Sequence, residues 1–375
     1  MNFSPQVLKN DERAIYNLRN LYGQYGYSLY KVSKFEEYDL YARNKSFLVS
    51  QNILSFTDTN GKLLALKPDV TLSIIKNIPD GDNLTHKLCY NENVYRPSAD
   101  SDGFREIMQT GLECIGNIDL YAECEVIMLA MRSLESISGD YILDLSHMGI
   151  IDAMLEEAGV QPSDREDFIK LIESKNVNSL NILCSEKNIC SDIKDKLCAL
   201  TELYMPIQKA LPVLKELLVG EKMNGAYDEL VKICDIMSAY GLGDRLYLDF
   251  SIVNDVNYYD GVIFKGFING IPNSLLSGGR YDRLLKRLGK CSGAIGFAVY
   301  LDRLERFDNT CASFDVDTVL LYDKETDMTD IINAQKQLLA QGGSIMTVSA
   351  PRVDLRYRKL VKLTNGGIEI LETND

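Results

Sequence analysis

The most informative segment of the chain is residues 90–116, YNENVYRPSADSDGFREIMQTGLECIG. Two strand-like runs, Lys87 to Tyr95 and Phe104 to Gly116, flank the polar loop PSADSDG. Apolar residues alternate with polar ones in both runs, and turn-forming residues separate them, which predicts an antiparallel pair of strands with a long connection.

Polar side chains follow one face of this predicted pair. Gln109, Gly111 and Glu113 alternate along the second strand, so they share a face of the sheet. Buried without partners, such groups would each cost about 2–7 kcal/mol, so the face is either a solvated edge or a polar ligand pocket. Arg96, near the end of the first strand, has the forked guanidinium that suits a carboxylate or a phosphate.

Two further segments allow a structural or a functional interpretation. The turn LKPDVT, residues 66–71, ends a strand, and Asp69 or Thr71 can cap the helix that follows. It is either a strand-to-helix corner or a site where these side chains hold an ammonium group. Tyr258 and Tyr259 lie between two predicted strands, where they serve either aromatic packing or the wall of a pocket.

Glycine-containing segments near the end of the predicted sheet give weaker signals. In LLSGGRYDRLLKRLG, residues 275–289, a Gly pair precedes a helix predicted at about 281–288, either as an ordinary turn or to let backbone approach a ligand. The segment GAIGFAVYLDRL, residues 293–304, predicts an apolar helix with Arg303 at its end. That helix is either plain core or a means of placing a cation under the sheet.

The remaining pattern predicts an α+β fold, an antiparallel sheet flanked by helices, in two domains. The core domain spans residues 1–310, with a helical insert at about 150–242, and residues 311–375 form a small α/β domain. Other predicted elements are a helix over 10–26 with Asn10 as a possible cap, a hairpin at Asn60-Gly61, helices over 70–78 and 119–136, and strands over 141–145, 245–253 and 262–267.

Composition narrows the possible functions. The formal net charge is -14, which weighs against nucleic-acid binding without closing it. No apolar stretch approaches the ~20 residues of a membrane helix, and residues 1–12 lack a signal-peptide pattern, so we expect a cytoplasmic protein without a membrane partner. Nine cysteines without a Cys-x-x-Cys pair, and only His86 and His147, predict free thiols, no metal site and no cofactor.

Taken in order, the segments at 66–71, 90–116, 258–259, 275–289 and 293–304 resemble the class II aminoacyl-tRNA synthetase core, specifically its histidyl branch. The resemblance runs from about residue 8 to 307 and is interrupted by the helical insert. Residues 10–33 are similar to the dimer-forming motif 1 of this class, which implies a homodimer through the core.

The resemblance also implies roles for individual residues. Asp69 and Thr71 match the loop that grips the amino group of histidine, and Gln109 and Glu113 match positions that contact it. Tyr281 and Tyr259, next to Tyr258, match the imidazole pocket. Arg96 and Arg303 match the paired arginines that hold ATP phosphates, and Arg105, just beyond the loop, is a further candidate for binding an anion.

The chain departs from a working synthetase where charge is needed. Asn254 stands where the family has an arginine for the adenylation step, and Asn257 replaces an aspartate. Removing one such donor typically slows an enzyme ~10²–10³-fold. Ser98 replaces an acidic residue, and the loop PSADSDG has no basic residue. After Phe307 the tail is shorter than the family's anticodon-binding domain.

The basic residues of that tail are more simply interpreted as a solvated helix face than as a tRNA contact. They are Arg352, Arg356, Arg358, Lys359 and Lys362.

This selective loss resembles the regulatory-subunit family of ATP phosphoribosyltransferase. The resemblance implies a non-catalytic subunit, required by the short-form catalytic subunit in a hetero-octamer with equal numbers of both chains. It also implies L-histidine as feedback effector in the first step of histidine biosynthesis, and no tRNA partner. The alternatives are a reduced histidyl-tRNA synthetase and a free-standing histidine-binding scaffold.

Overall fold

The computed structural model describes residues 8–48, 52–79, 85–98, 103–253, 258–304, 314–350, 354–364 and 366–374. The chain divides into two compact units, Met1–Phe307 and Asp308–Asp375. Among the described residues the helices are α1 (Asn10–Gln24), α2 (Tyr38–Ala42), α3 (Thr71–Asn77), α4 (Leu120–Glu135), α5 (Met148–Glu157), α6 (Arg165–Glu173), α7 (Val177–Glu186), α8 (Ser191–Glu202), α9 (Ile207–Leu217), α10 (Lys222–Ala239), α11 (Asp282–Arg287) and α12 (Met328–Ala340).

The strands in the same parts of the chain are β1 (Ser28–Leu29), β2 (Phe35–Glu37), β3 (Ser55–Thr57), β4 (Leu63–Leu66), β5 (His86–Pro97), β6 (Phe104–Gly116), β7 (Tyr141–His147), β8 (Tyr204–Pro206), β9 (Leu246–Asp249), β10 (Val262–Ile268), β11 (Leu276–Arg280), β12 (Gly293–Tyr300), β13 (Val316–Leu321), β14 (Ile345–Val348), β15 (Tyr357–Thr364) and β16 (Gly367–Thr373).

A nine-stranded sheet, ordered β1-β5-β6-β12-β11-β10-β7-β9-β8, forms the centre of the first unit. Its pairs are antiparallel except β1–β5 and β7–β9. The predicted antiparallel pairing of residues 87–95 with 104–116 is confirmed as β5 and β6. The predicted hairpin at Asn60-Gly61 joins β3 and β4, where Gly61 has the positive φ of 80° that a tight turn favours. The predominantly antiparallel sheet confirms the α+β class.

The two faces of β6 bury different neighbours, because successive side chains in a strand point to opposite sides. Leu112 and Cys114 pack into the larger core with α1 and α4. Ile107 and Ile115 point to the other face, into a second core that includes residues of α3 and α11. Gln109 and Glu113 lie on this second face, so the strand alternation alone directs them away from the apolar helix α4.

The segment predicted as a helical insert contains α5 to α10, with the short strand β8 between α8 and α9. Its apolar residues belong to the same buried core as α4 and the central sheet. Strand β8 pairs with β9 at the edge of that sheet. The insert therefore packs on the sheet as part of the first unit.

The prediction of a helix over 293–304 is wrong. Residues Gly293–Tyr300 form β12, which lies between β6 and β11, and Arg303 ends a short 3-10 turn. A central strand is buried on both faces, so its apolar run has the same composition as a buried helix. The Gly pair Gly278-Gly279 likewise lies inside β11, and the predicted helix after it begins at Asp282.

The prediction of Asn10 as a cap is also wrong, because α1 begins at Asn10 itself and Lys9 precedes it as cap. The Glu12 carboxylate accepts a hydrogen bond from the Lys9 backbone N–H at 3.0 Å. An acidic residue in the first turn can satisfy such an exposed donor, so the cap does not need a polar side chain of its own.

The second unit has a four-stranded sheet, ordered β14-β13-β15-β16, with α12 connecting β13 and β14. In chain order β13, α12 and β14 thus alternate strand, helix and strand. The interpretation of the basic cluster as a helix face is wrong for its four described members, since Arg358, Lys359 and Lys362 lie on β15 and Arg356 directly precedes it. Buried Val361 and Leu363 alternate along β15, and this period of two belongs to a strand. Arg352 lies outside the described residues.

Candidate functional site

A cavity of about 520 Å³, including its open mouth, lies on the second face of the central sheet. All seven residues predicted to bind histidine line it, namely Asp69, Thr71, Gln109, Glu113, Tyr258, Tyr259 and Tyr281. Four separate segments supply them: the turn before α3, strand β6, the segment before β10 and the residue after β11. Sheet pairing brings these segments together, so the sequence-based candidates form one site.

Glu113 forms the floor of the cavity and is 2% exposed. Its Oε1 accepts a hydrogen bond from Thr71 Oγ1 at 2.6 Å, and its Oε2 accepts one from the Tyr281 hydroxyl. Burial raises the pKa of Glu113 to about 8, against the two hydrogen bonds, which lower it. A pKa in that range leaves the carboxyl mostly protonated at neutral pH.

Gly296 makes the room that the Glu113 carboxyl occupies. The two residues face each other across the β6–β12 pair. A Cβ at position 296 would overlap Glu113 Oε2 and would lie 2.5 Å from the Leu112 carbonyl oxygen. A glycine inside a strand often marks such a close approach, and here it is what lets a carboxyl stand on the sheet surface.

The turn that carries Asp69 and Thr71 is held firmly by polar contacts. Asp69 Oδ1 accepts from the Leu72 backbone N–H at 2.8 Å, which caps the first turn of α3. Arg96 Nε donates to the Pro68 carbonyl at 2.9 Å. Lys67, only 1% exposed, forms an ion pair with Glu92 on β5.

The same Glu92 accepts from the Val32 backbone N–H at 3.0 Å and lies directly across from Gln109 on β6. The Lys67–Glu92 ion pair thus fixes the turn to β5, which in turn pairs with the strand β6 that carries Gln109 and Glu113.

Gln109 directs a donor into the cavity. Its side chain is 3% exposed, and its Nε2 has no hydrogen-bond partner among the described residues. Leaving a buried amide donor unpaired costs about 1–3 kcal/mol. A ligand with an acceptor atom, such as a carboxylate, would remove that cost.

Three tyrosine rings form the aromatic wall. The ring centroids of Tyr258 and Tyr259 are 4.8 Å apart, and those of Tyr258 and Tyr281 are 5.5 Å apart. Burial raises the pKa values of Tyr258 and Tyr281 well above the ordinary value, so both hydroxyls stay protonated. Gly279 leaves room for the Tyr259 ring, because a Cβ at position 279 would be 2.7 Å from Tyr259 Cδ1.

Sequence reasoning missed three polar residues that also line the cavity, Tyr90, Ser277 and Tyr300. Only Tyr90 had a usable signal. It faces Gly111 across β5 and β6, and a Cβ at Gly111 would lie 2.7 Å from the Tyr90 hydroxyl oxygen. A glycine at the middle of a predicted polar face indicates that a neighbouring side chain or a ligand approaches closely.

The three arginines predicted to bind anions are close enough to influence one another. Arg96 lines the cavity and lies directly opposite Arg105 in the β5–β6 register. Arg105 and Arg303 are not among the described residues of the lining. Arg303 donates to the Ser274 carbonyl and stacks 4.4 Å from the Tyr300 ring centroid. Burial lowers the pKa of Arg303, and Arg105 and Arg96 lower it further.

Some of the predicted departures cannot be placed. Asn254 and Asn257 lie outside the described residues, as do residues 99–102 of the loop PSADSDG. Ser98 is described, and its backbone N–H donates to the Gly103 carbonyl at 2.8 Å, which closes the base of that loop.

Among the described residues, no group of three or more His, Cys, Asp or Glu side chains is placed to hold a metal ion. In the same residues no helix has the length and apolar character needed to cross a membrane.

The sheet, its motif order and the polar aromatic cavity define a class II synthetase-like core of the histidyl type. The histidyl-tRNA synthetase family model matches residues 2–304. The chain belongs to the family of ATP phosphoribosyltransferase regulatory subunits within this class. Such a subunit from Clostridium kluyveri is 30% identical over 322 residues, which cover 82% of this chain and 81% of that one.

Solved structures agree on the fold. A Bacillus halodurans structure described as an ATP phosphoribosyltransferase regulatory subunit/histidyl-tRNA synthetase matches with a TM-score of 0.78, at 23% identity over 96% of both chains. A chain of the ATP phosphoribosyltransferase complex from Thermotoga maritima matches with a TM-score of 0.62, at 19% identity over 78% of this chain and 97% of that one.

Proposed function

We propose that free histidine binds in the cavity and that this site regulates an ATP phosphoribosyltransferase. As a member of the regulatory-subunit family, the chain has a regulatory role in histidine biosynthesis. The observation that carries the histidine proposal is Glu113, a buried carboxyl at the floor of a cavity walled by tyrosines. A chain without aminoacylation has no other evident use for such a group.

The chemistry of the lining suggests how histidine would lie. The imidazole would enter between the rings of Tyr259 and Tyr281 and donate an N–H to Glu113. The ammonium would pair with Asp69. The ligand carboxylate would accept from the Nε2 of Gln109 and from Arg96, whose planar fork suits it. Each polar group of histidine would then meet a side chain with the complementary charge or hydrogen-bonding role.

Absence of aminoacylation is the second part of the proposal. The supporting observation comes from the sequence, where Asn254 and Ser98 replace charged residues that the synthetase pattern expects. Arg96 and Arg105 lie opposite each other on β5 and β6, and both lower the pKa of Arg303; this cluster of positive charge favours a competing candidate, a reduced histidyl-tRNA synthetase that still binds ATP. Histidine-dependent exchange between ATP and pyrophosphate separates the two, and we expect none.

The remaining parts of the proposal concern partners. The chain would activate a short-form catalytic subunit in a cytoplasmic hetero-octamer, dimerise through residues 10–33, and bind no tRNA. The complex from Thermotoga maritima, described as an ATP phosphoribosyltransferase complex, supports a catalytic partner. Histidine would inhibit by binding the inhibited assembly more tightly, and a coupling of ~1–3 kcal/mol would suffice.

Reconstitution tests this function. Purified chain is mixed with a short-form catalytic subunit, and phosphoribosyl transfer is measured with increasing histidine. We expect activity only when both chains are present, and inhibition by histidine that Glu113→Ala shifts to higher concentration. Glu156→Gln, on the exposed side of α5, is the matched control that should behave like wild type.

Two results would contradict the proposal at different points. Failure to associate with or activate any short-form catalytic chain would leave a free-standing scaffold. Equal histidine affinity for wild type and Glu113→Ala in calorimetry would remove Glu113 from the site.

A further inference from the structure

We propose that the helical insert sets the geometry of the histidine cavity, through two bridges of charged side chains that end beside the pocket tyrosines. Glu229 and Asp152 of the insert are then positioning residues for histidine, although neither lines the cavity. This inference rests on the proposed histidine site and assigns to the insert a role in regulating it.

The first bridge runs from α10 to the residue before Tyr281. Glu229 Oε1 lies 3.3 Å from His147 Nε2, and Glu123 of α4 is close enough to lower the pKa of Glu229. Glu123 Oε2 lies 3.5 Å from Arg280 Nη1, and the same guanidinium donates to Asp282 at 3.0 and 3.1 Å. The bridge therefore ends on the two residues that flank Tyr281.

Glu123 and Glu229, two neighbouring carboxyls of the first bridge, have pKa shifts in opposite directions. Glu123 is 1% exposed, and burial together with Glu229 raises its pKa to about 8. The pKa of Glu229 is lowered instead, by His147, Glu123 and Arg280, so the two neighbouring carboxyls do not ionise together. His147 Nδ1 accepts from the Gly149 backbone N–H at 3.0 Å, which fixes the ring with Nε2 3.3 Å from Glu229 Oε1.

The second bridge runs from α5 and α6 to the residue after Tyr259. The Asp152 carboxylate pairs with Arg165 of α6 and, at 3.2 Å, with Arg283 of α11. The Arg283 backbone N–H donates to Asp260 Oδ2 at 2.9 Å. Asp260 directly follows the tyrosine pair, so this bridge ends on the opposite side of the aromatic wall.

Backbone contacts tie the two ends together. The Asp260 carboxylate also accepts from the Asp282 N–H at 2.9 Å, and the Asp260 N–H donates to the Arg280 carbonyl at 3.0 Å. The first residue of α5, Met148, donates to the Gly261 carbonyl at 2.9 Å. A shift of α5 or α10 is consequently transmitted to the backbone beside all three tyrosines.

The matched control is an ion pair between α5 and α10, the two helices that carry Asp152 and Glu229. Glu156 of α5 and Lys222 of α10 form a pair at 2.5 Å, with 63% and 72% of their side chains exposed. Exposed pairs of this kind contribute little to stability. The pair joins the same helices but does not continue to the cavity. Removing it therefore tests whether any disturbance of the insert is enough to weaken histidine binding.

Calorimetry with histidine on the full chain tests the bridges, using Glu229→Gln, Asp152→Asn and the control Glu156→Gln. Residues that couple to a site without touching the ligand change its affinity about 2- to 30-fold. We expect both bridge variants to weaken histidine binding within that range while far-UV circular dichroism stays unchanged, and Glu156→Gln to match wild type.

Arg283→Gln keeps the test decisive should a buried bridge variant fail to fold. Arg283 is 48% exposed, so its replacement cuts the second bridge without disturbing the core. Wild-type affinity in Arg283→Gln and in every folded bridge variant would overturn the inference, as would an equal loss in Glu156→Gln. Absence of histidine binding by wild type itself would instead overturn the proposed function.

Discussion

Replacing Glu113 by Gln should stabilise the fold at neutral pH while it weakens histidine binding. Burial raises the pKa of this carboxyl from 4.5 to about 8. The folded protein thus holds the proton more tightly than the unfolded chain does. The stability associated with Glu113 is fully present below pH ~4.5 and is lost as the pH rises through about 8.

The magnitude follows from these two pKa values. At pH 7 nearly all unfolded chains are ionised at position 113, whereas about one folded chain in ten is. At 1.36 kcal/mol for each pKa unit, retaining the proton costs the native state about 3 kcal/mol. Gln is neutral in both states and avoids that cost. It brings an amide donor toward Thr71 and Tyr281, which should cost about 1 kcal/mol in hydrogen bonding.

Urea unfolding followed by far-UV circular dichroism at pH 5, 6, 7 and 8 measures the difference between variant and wild type at each pH. We expect Glu113→Gln to be about 2 kcal/mol more stable at pH 7, and no more stable than wild type at pH 5. Other buried acids act equally in both proteins and cancel. A difference that stays constant from pH 5 to 8 would refute the reasoning, and Glu156→Gln should give such a constant difference.

Three further substitutions probe the cavity. Gly296→Ala places a methyl group where the Glu113 carboxyl stands, and should abolish histidine binding in calorimetry. Lys67→Met leaves Glu92 as a buried, unpaired charge, and should lower the free energy of unfolding by about 3–5 kcal/mol in urea. Gln109→Leu removes a buried unpaired donor, so it should leave that free energy unchanged or raised while weakening histidine binding about tenfold.

The sequence revealed much of the site because strand alternation is a local property. Gln109 and Glu113 are four residues apart on one strand, so their shared face could be predicted without knowing any neighbour. Tyr300 and Ser277 become neighbours of that face only through the order of β6, β12 and β11 in the sheet. No local pattern encodes that order, which explains why these two residues were missed.

The error at residues 293–304 has a related cause. Strand β12 is covered on both faces by the cores that flank the sheet, so Ile295 and Phe297 are as buried as Ala294 and Gly296. Apolar and polar residues alternate along an element only when one of its faces is exposed to solvent, so the alternation disappears where both faces are buried. The two bridges from the insert were not predictable either. In the sequence, Glu229 and Asp152 look like the charged residues found on the exposed face of any helix.

The energetic cost of the cavity indicates that its ligand still matters. Proteins retain buried, poorly satisfied groups mainly where a ligand or a reaction needs them. Glu113 needs a glycine opposite it and a proton to remain buried, and Gln109 keeps an unpaired donor. Arg96 and Arg105 stand opposite each other on paired strands, where like charges repel. Apolar replacements would remove each of these costs, so a cavity left over from a lost activity would have few reasons to keep all of them together.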